Sequence, residues 1–177
     1  MSNINIAPVT LENYSPMWPG MFETEKNLIL GVIGEHITSI EHIGSTSIPS
    51  MIAKPEIDIL IGVSDLSNAE PCVMKLKDIA YAYYPRFEEF EPGRRYFRKS
   101  EGIVPLVHVH LYQETSHEYQ ERLLFRDFLR QHPEDAATYA AYKISLLQST
   151  GSDRSGYSDA KDKFVLDMLE DMRKVIK

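Results

Sequence analysis

The chain has 177 residues, of which 43% are hydrophobic and 25% charged, so we expect a globular protein with a real hydrophobic core. Its net charge of −7 and pI near 5.4 argue against broad, non-specific binding to nucleic acid. We find no basic leader and no apolar run long enough to span a bilayer, and therefore expect a cytoplasmic protein with no membrane partner. The single cysteine, Cys72, excludes an intramolecular disulfide, and we expect it to pack on an apolar helix face.

Hydrophobic periodicity predicts strands and helices in the first two thirds of the chain and helices after them. In chain order we predict an extended segment at 4–10, a helix at 19–34, strands at 37–43 and 56–63 around a helical turn at 47–51, a helix at 65–80, strands at 81–84, 95–99 and 104–112, and helices at 116–131, 133–149 and 157–175. This pattern predicts one domain over 1–177. A sheet unit (about 1–114) carries the site, and a helical unit (about 115–177) closes over it.

The run Gly44-Ser45-Thr46-Ser47 follows an apolar stretch and is a candidate phosphate-binding turn. A Gly-Ser turn that opens a helix presents backbone N–H groups and hydroxyls to an anion. We expect Ser45 to bind phosphate together with the backbone of Gly44 and Thr46, with Ser47 in the same turn. The alternative is that Ser45 and Ser47 only cap the short helix.

Glu56 and Asp58 lie in an apolar segment that we predict to be a buried strand. Residues i and i+2 of a strand project from the same face, so both carboxylates point the same way. Two such acids are costly unless a cation or a hydrogen-bond network offsets them. We therefore predict that both are catalytic and hold a divalent metal. In the alternative, Glu56 pairs with Lys54 and Asp58 lies alone.

Three histidines at strand positions are candidate site residues. His108 and His110 alternate onto one strand face, and imidazole suits Zn²⁺ or other transition metals better than Mg²⁺. They either complete the metal site beside Asp58 or are hydrogen-bonded core histidines. His42 precedes the Gly-Ser turn, where it either orients the turn or contacts substrate.

Basic residues that are candidates for binding an anion are spread along the chain: Lys54, Arg94, Arg95, Arg98, Arg126, Lys143 and Lys161. Arg126 adjoins Asp127 in an amphipathic helix, an arrangement that is also typical of a structural ion pair. Two Tyr/Lys couples with i, i+4 spacing each share a helix face, namely Tyr139 with Lys143 and Tyr157 with Lys161. Such couples suit the rim of a ligand site, although a solvated helix face gives the same pattern.

The Gly-Ser turn, the gap and the acid-x-acid strand together resemble the signature of the DNA polymerase β-like nucleotidyltransferase superfamily. Over nearly its whole length the chain more closely resembles the GrpB family, through Glu41–Pro49, Lys54-Pro55, Asp58-Ile59-Leu60, His108-Val109-His110, Phe125–Arg130 with His132-Pro133, and both Tyr/Lys couples. The resemblance implies an α+β fold: a nucleotidyltransferase-like mixed, twisted sheet with helices, plus a C-terminal helical unit. An aliphatic residue often replaces Glu56 in that family, and the superfamily usually supplies a third carboxylate that is missing here.

The leading hypothesis is a metal-dependent nucleotidyltransferase that moves a nucleotidyl group from an NTP to a small acceptor. Mg²⁺ is the expected cofactor, with Mn²⁺ or Zn²⁺ as alternatives. A rival hypothesis is a non-catalytic accessory module that binds a nucleotide or a coenzyme A-related ligand, since the family resembles a domain sometimes fused to dephospho-coenzyme A kinase. A third is phosphohydrolase or phosphotransferase chemistry through His108 and His110. No nucleic-acid partner is expected, and the acceptor, the preferred base and the oligomeric state stay open.

Overall fold

The computed structural model describes residues 9–101, 104–150 and 154–175, so most of the predicted extended segment at 4–10 lies outside the described residues. The helices of the described residues are α1 (Trp18–Ile33), α2 (Ala69–Asp78), α3 (His117–Gln131), α4 (Pro133–Thr150) and α5 (Arg154–Val175). The strands are β1 (Ser39–Ile43), β2 (Ile57–Val63), β3 (Ala82–Tyr83), β4 (Arg95–Glu101) and β5 (Val104–Gln113).

The five strands form a single mixed sheet with the order β1-β2-β5-β4-β3. β2 pairs in parallel with β5, and the three other neighbouring pairs are antiparallel. The α+β class with a mixed sheet is therefore confirmed. β2 lies between β1 and β5, which brings the acid-x-acid segment next to the turn after β1 on one side and to the two histidines on the other.

The two faces of β2 have different environments because its side chains alternate. Ile57, Ile59, Ile61 and Val63 lie in the main hydrophobic core, which α1 and α2 complete. Cys72 of α2 is buried in this core, and burial raises the pKa of its thiol to about 11, so it is a packing residue. Asp58 is on the opposite face of β2, which is the side of the sheet near the C-terminal helices.

Several element boundaries differ from the prediction. The helical turn after β1 spans Ser45–Ser47 and not 47–51, and β1 and β3 are shorter than predicted. Two further differences have local causes. β2 begins at Ile57 because the backbone N–H of Glu56 donates to the carbonyl of Lys54 and closes a turn there. The helix predicted from residue 65 begins as a 3-10 turn, since the Asp65 carboxylate accepts the backbone N–H of Ser67 at 2.8 Å. α2 proper follows this turn.

The three C-terminal helices pack together over the segment that follows β1. Their shared cluster includes Ile48 and Met51 from that segment, with Leu129 of α3, Tyr139 of α4 and Leu169 of α5. The turn after β1 therefore lies between the sheet and the helices. No helix in the described part of the chain has the length and hydropathy that a membrane span requires.

Candidate functional site

The turn after β1 packs directly against Asp58. Gly44 has a φ of +69°, and a Cβ placed on it would overlap the Asp58 carboxylate, at 2.9 Å from Cγ. Both the positive φ and this close approach require glycine. The turn formed by Ser45–Ser47 and the carboxylate of Asp58 are thus adjacent parts of one surface.

Two hydroxyl groups of the turn are used to hold the turn itself. Ser47 Oγ donates to the carbonyl of Gly44 at 2.7 Å, and Thr46 Oγ1 donates to the carbonyl of Glu56 at 3.1 Å. Both side chains are buried. Neither hydroxyl caps the 3-10 turn, which has no side-chain cap hydrogen bond. Thr46 and Ser47 are thus engaged within the segment, and the Ser45 hydroxyl contacts a residue of another element, Lys143 of α4.

His42 lies on the sheet face opposite to Asp58, so the structure does not bring it into the Asp58 site. It pairs in register with Ile59, and its ring stacks on Phe22 with centroids 4.8 Å apart. Its Nε2 lies 3.0 Å from the Thr46 hydroxyl and donates to it, because that hydroxyl gives its own proton to a carbonyl. Burial lowers the pKa of His42 to about 4, so the neutral ring orients the turn.

A cleft of about 450 Å³ lies on this other side, between the start of α1, β1 and α3. Its lining includes Phe22, His42, Arg126 and Arg130. The cleft therefore does not open onto Asp58, and we do not assign the candidate chemistry to it.

Asp58 and His110 face each other between β2 and β5. Nε2 of His110 lies 3.6 Å from Oδ1 of Asp58, which is a polar contact longer than a good hydrogen bond. Burial opposes the charge of Asp58, but the facing His110 and the cationic Lys161 hold the pKa of the carboxyl well below its usual range. Burial, reinforced by Arg94, lowers the pKa of His110 to about 3. The pair is therefore an ionised carboxylate beside a neutral imidazole.

A chain of polar contacts links Arg98, Tyr96, His108 and Glu56. Arg98 Nε donates to the Tyr96 hydroxyl at 2.8 Å, and that hydroxyl lies 2.5 Å from Nδ1 of His108. Burial lowers the pKa of His108, so its ring is neutral. The Tyr96 oxygen accepts from Arg98 and keeps its own proton to donate to Nδ1, and we assign the tautomer of His108 with the ring proton on Nε2 on this basis. That N–H faces Oε2 of Glu56 at 3.5 Å.

These groups meet part of what a divalent metal requires. The side chain of Asp58 is 31% exposed, so solvent reaches its carboxylate. Among the residues that the structure describes, no cluster of three or more His, Cys, Asp or Glu side chains is arranged to hold a metal. The Nε2–H of His108 faces Glu56, and Lys54 Nζ lies 3.3 Å from the same carboxylate. A metal at Asp58 would take its other ligands largely from phosphate and water, as Mg²⁺ commonly does.

Lys143 lies behind the turn and not on its open side. Its side chain is 2% exposed, and Nζ donates to Ser45 Oγ at 3.0 Å and to the carbonyl of Ile52. The ammonium lies over the Tyr139 ring, 4.7 Å from the centroid. Burial, with two neighbouring lysines, lowers the pKa of Lys143 to about 7. The contact of Lys143 with the candidate site is therefore made through Ser45.

Lys161 and Tyr157 are both on α5 but differ in exposure. Lys161 is 29% exposed, with Nζ 3.5 Å from Asp162. Burial opposes its charge, yet Tyr139 and the carboxylates of Asp162 and Asp58 raise the pKa of Lys161, so it is a cation. Tyr157 is 1% exposed, with Lys54 Nζ 5.9 Å from its ring centroid, and it has little surface left for a substrate.

Two of the predicted anion contacts are engaged elsewhere. Arg126 donates to Glu41 at 2.6 Å and to Asp127 at 2.7 Å, which is the structural ion pair that its sequence context allowed. Arg95 Nη1 lies 2.9 Å from Glu88, and its register places it on the sheet face of α1 and α2. The structure therefore does not bring Arg126 or Arg95 to Asp58.

Tyr96 is a site residue that the sequence patterns did not identify. The register of β4 and β5 places Tyr96 beside His110 and Arg98 beside His108. The period of two along β4 would have indicated Tyr96 once the two histidines were placed on one face. The sequence alone does not show which residues of β4 and β5 pair with each other.

Comparisons with a family profile and with individual proteins both indicate the GrpB family. A profile described as GrpB protein matches residues 8–171. UPF0157 protein YqkA of Bacillus subtilis is 39% identical over 152 residues, which are 86% of this chain and 43% of that protein. The glutamate-rich protein GrpB of Alkalihalophilus pseudofirmus is 31% identical over 176 residues, with 97% and 100% covered. A dephospho-CoA kinase of Mycobacterium leprae is 26% identical over 190 aligned positions, which cover 91% of this chain and 45% of the kinase.

Two solved structures resemble the chain to very different degrees. The crystal structure of conserved protein GrpB from Enterococcus faecalis superposes with a TM-score of 0.84 and 33% identity, covering 95% of this chain and all of that one. Terminal uridylyl transferase 4 from Trypanosoma brucei with bound CTP has a TM-score of 0.46 and 13% identity, covering 82% and 49% of the two chains. A likeness of that size is too weak to support an inference about activity.

Proposed function

The chain belongs to the GrpB family, and from this premise and the arrangement at Asp58 we propose that it is a metal-dependent nucleotidyltransferase. It moves a nucleotidyl group from an NTP to a small acceptor. The observation that carries the proposal is the packing of the Gly44 turn against Asp58, where a Cβ on the glycine would overlap the carboxylate. Nucleotidyl transfer needs this juxtaposition, because the phosphates and the metal that bridges them must be held side by side.

The proposed roles follow from exposure and charge. Asp58 holds the metal, since its carboxylate is ionised and reachable from solvent. Glu56 is the second carboxylate on the same strand face. The Ser45 turn and Lys161 bind the polyphosphate, because Lys161 is a partly exposed cation close to Asp58. His110 orients Asp58 in this proposal, and we assign the metal as Mg²⁺, for which oxygen ligands are preferred.

The test is isothermal titration of ATP, GTP, CTP and UTP, each with and without Mg²⁺ or Mn²⁺. Wild type is compared with Asp58→Asn and with Asp78→Asn, which makes the same chemical change at an exposed position of α2. We expect metal-dependent binding in wild type and Asp78→Asn and its loss in Asp58→Asn. Unchanged binding in Asp58→Asn would refute the role of Asp58.

A second candidate function is supported by the small number of potential metal-binding side chains at the site. Since the described residues contain no cluster of three or more acidic, His or Cys side chains suited to a metal, a binding module without catalysis is also compatible with this site. A relative of this chain is a dephospho-CoA kinase, and the similarity covers 45% of that enzyme. In this alternative the chain binds a nucleotide or coenzyme A-related ligand and assists a partner. Binding of ATP or dephospho-coenzyme A that is independent of metal, with no turnover, would favour it over the transferase.

A further inference from the structure

Ser45 and the buried Lys143 form a part-buried hydroxyl–amine pair beside the proposed metal position. Nζ of Lys143 lies 3.0 Å from Ser45 Oγ, and a second N–H of the amine is held by the carbonyl of Ile52. The Tyr139 ring lies 4.7 Å from Nζ on one side. The amine is therefore fixed in one position relative to Ser45.

The surroundings of Lys143 make its ammonium group lose a proton more readily than that of an exposed lysine. Its side chain is almost completely buried, and within the described part of the chain no carboxylate lies at ion-pair distance from Nζ. The nearby charges of Lys161 and Lys54 have the same sign, and together with burial they bring the pKa of Lys143 to about 7. A buried lysine without a counter-charge has a free lone pair near neutral pH and acts as a base.

The hydroxyl groups of Ser45 and Ser47 have different hydrogen-bond partners. Ser47 Oγ gives its proton to the carbonyl of Gly44 at 2.7 Å. The charged Lys143 donates to Ser45 Oγ at 3.0 Å; once it has lost a proton, the amine at the same position has a lone pair that can accept the Ser45 proton. A hydroxyl within hydrogen-bond distance of a base is the arrangement found in Ser–Lys catalytic pairs.

We propose that Ser45 is a nucleophile that itself accepts the nucleotidyl group, with Lys143 as its general base; this rests on the proposed nucleotidyltransferase function. Ser45 Oγ attacks the α-phosphorus of the NTP, and its proton passes to Nζ of Lys143. The new Oγ–P bond forms as the bond from the α-phosphorus to the bridging oxygen breaks, and pyrophosphate leaves. The position supports this step, because Ser45 follows Gly44, which touches the carboxylate proposed to hold the metal.

The test is the intact mass of the protein after incubation with ATP and Mg²⁺, without an added acceptor, followed by peptide mapping. We expect an adenylyl adduct on Ser45 in wild type and in Ser145→Ala, which removes an exposed hydroxyl from α4. The adduct should be absent in Ser45→Ala and form at least tenfold more slowly in Lys143→Met. Lys143→Arg should be equally slow, because arginine keeps the positive charge but does not accept a proton.

Other outcomes overturn the proposal. An adduct that persists in Ser45→Ala, or full recovery of its rate in Lys143→Arg, would refute the nucleophile or the base. The titrations with ATP separate this inference from the proposed function. Metal-dependent ATP binding without an adduct refutes only the nucleophile, whereas no ATP binding under any condition refutes both.

Discussion

Replacing the buried Lys143 by methionine should change how the stability of the protein depends on pH. The pKa of this lysine is about 7 in the folded state, against 10.5 for an unperturbed lysine, because of burial. At low pH Lys143 is protonated in both the folded and the unfolded protein, and the folded protein bears the full free-energy cost of burying its charge. Between pH 7 and 10.5 the folded state has released the proton of Lys143 and no longer bears the cost of a buried charge, whereas the unfolded chain still binds the proton. The free energy of unfolding of wild type therefore rises with pH over this range. Between pH 7 and pH 9 this one group contributes about 2 kcal/mol to the rise.

The measurement is urea denaturation followed by circular dichroism at pH 7, 8 and 9. The free energy of unfolding of wild type minus that of Lys143→Met should increase by about 2 kcal/mol over this range. The change with pH is diagnostic, because the difference at any one pH also includes the lost hydrogen bonds to Ser45 and Ile52. Lys77→Met is the matched control, since it removes a lysine from an exposed position of α2. Parallel stability curves for wild type and Lys143→Met would refute the depressed pKa of Lys143.

Three further substitutions test the framework of the site. Gly44→Ala should destabilise the fold by about 2 kcal/mol or more, because the positive φ and the overlap with Asp58 both oppose a side chain; an unchanged urea midpoint would contradict this. Arg126→Ala should cost about 1–3 kcal/mol through its lost, partly buried ion pairs, and thermal denaturation that matches wild type would contradict it. Tyr96→Phe should cost about 1 kcal/mol, since it leaves Nδ1 of His108 without a donor; the imidazole nitrogen shifts in NMR should move towards the other tautomer, and unmoved shifts would show that Tyr96 does not set it.

The sequence predicted the acid-x-acid strand and its neighbours well because their signals are local. The apolar run from Ile57 to Val63 predicts a buried strand with Glu56 and Asp58 on one face, and in the structure Asp58 lies on the face opposite to Ile57 and Ile59. Two histidines spaced by two residues share a face for the same reason. That His110 faces Asp58 depends on the parallel pairing of β2 with β5, which adjacent residues in the chain do not encode.

The positions of several other candidate residues also depend on contacts between distant parts of the chain. His42 and Arg95 lie on the sheet face opposite to Asp58. Neighbouring residues of a strand point to opposite faces, so a shift of one residue moves a side chain to the other face of the sheet. Lys143 makes its hydrogen bonds with Ser45, a residue far away in the sequence, and with the carbonyl of Ile52. The i, i+4 spacing showed which helix face carries Lys143, but no local pattern indicates that this face is buried against the turn.

The position of Arg126 also bears on whether copies of the protein aggregate through the edge of the sheet. β1 is an edge strand of the sheet, and such an edge is a template on which strands of other molecules can add. Nη1 of Arg126, reaching over from α3, donates to the carbonyl of His42 in this strand at 3.2 Å. A guanidinium group thus occupies a backbone acceptor that an incoming strand would need. A chain shortened before α3 would uncover that edge, and we expect it to aggregate through β1 even if its sheet still forms.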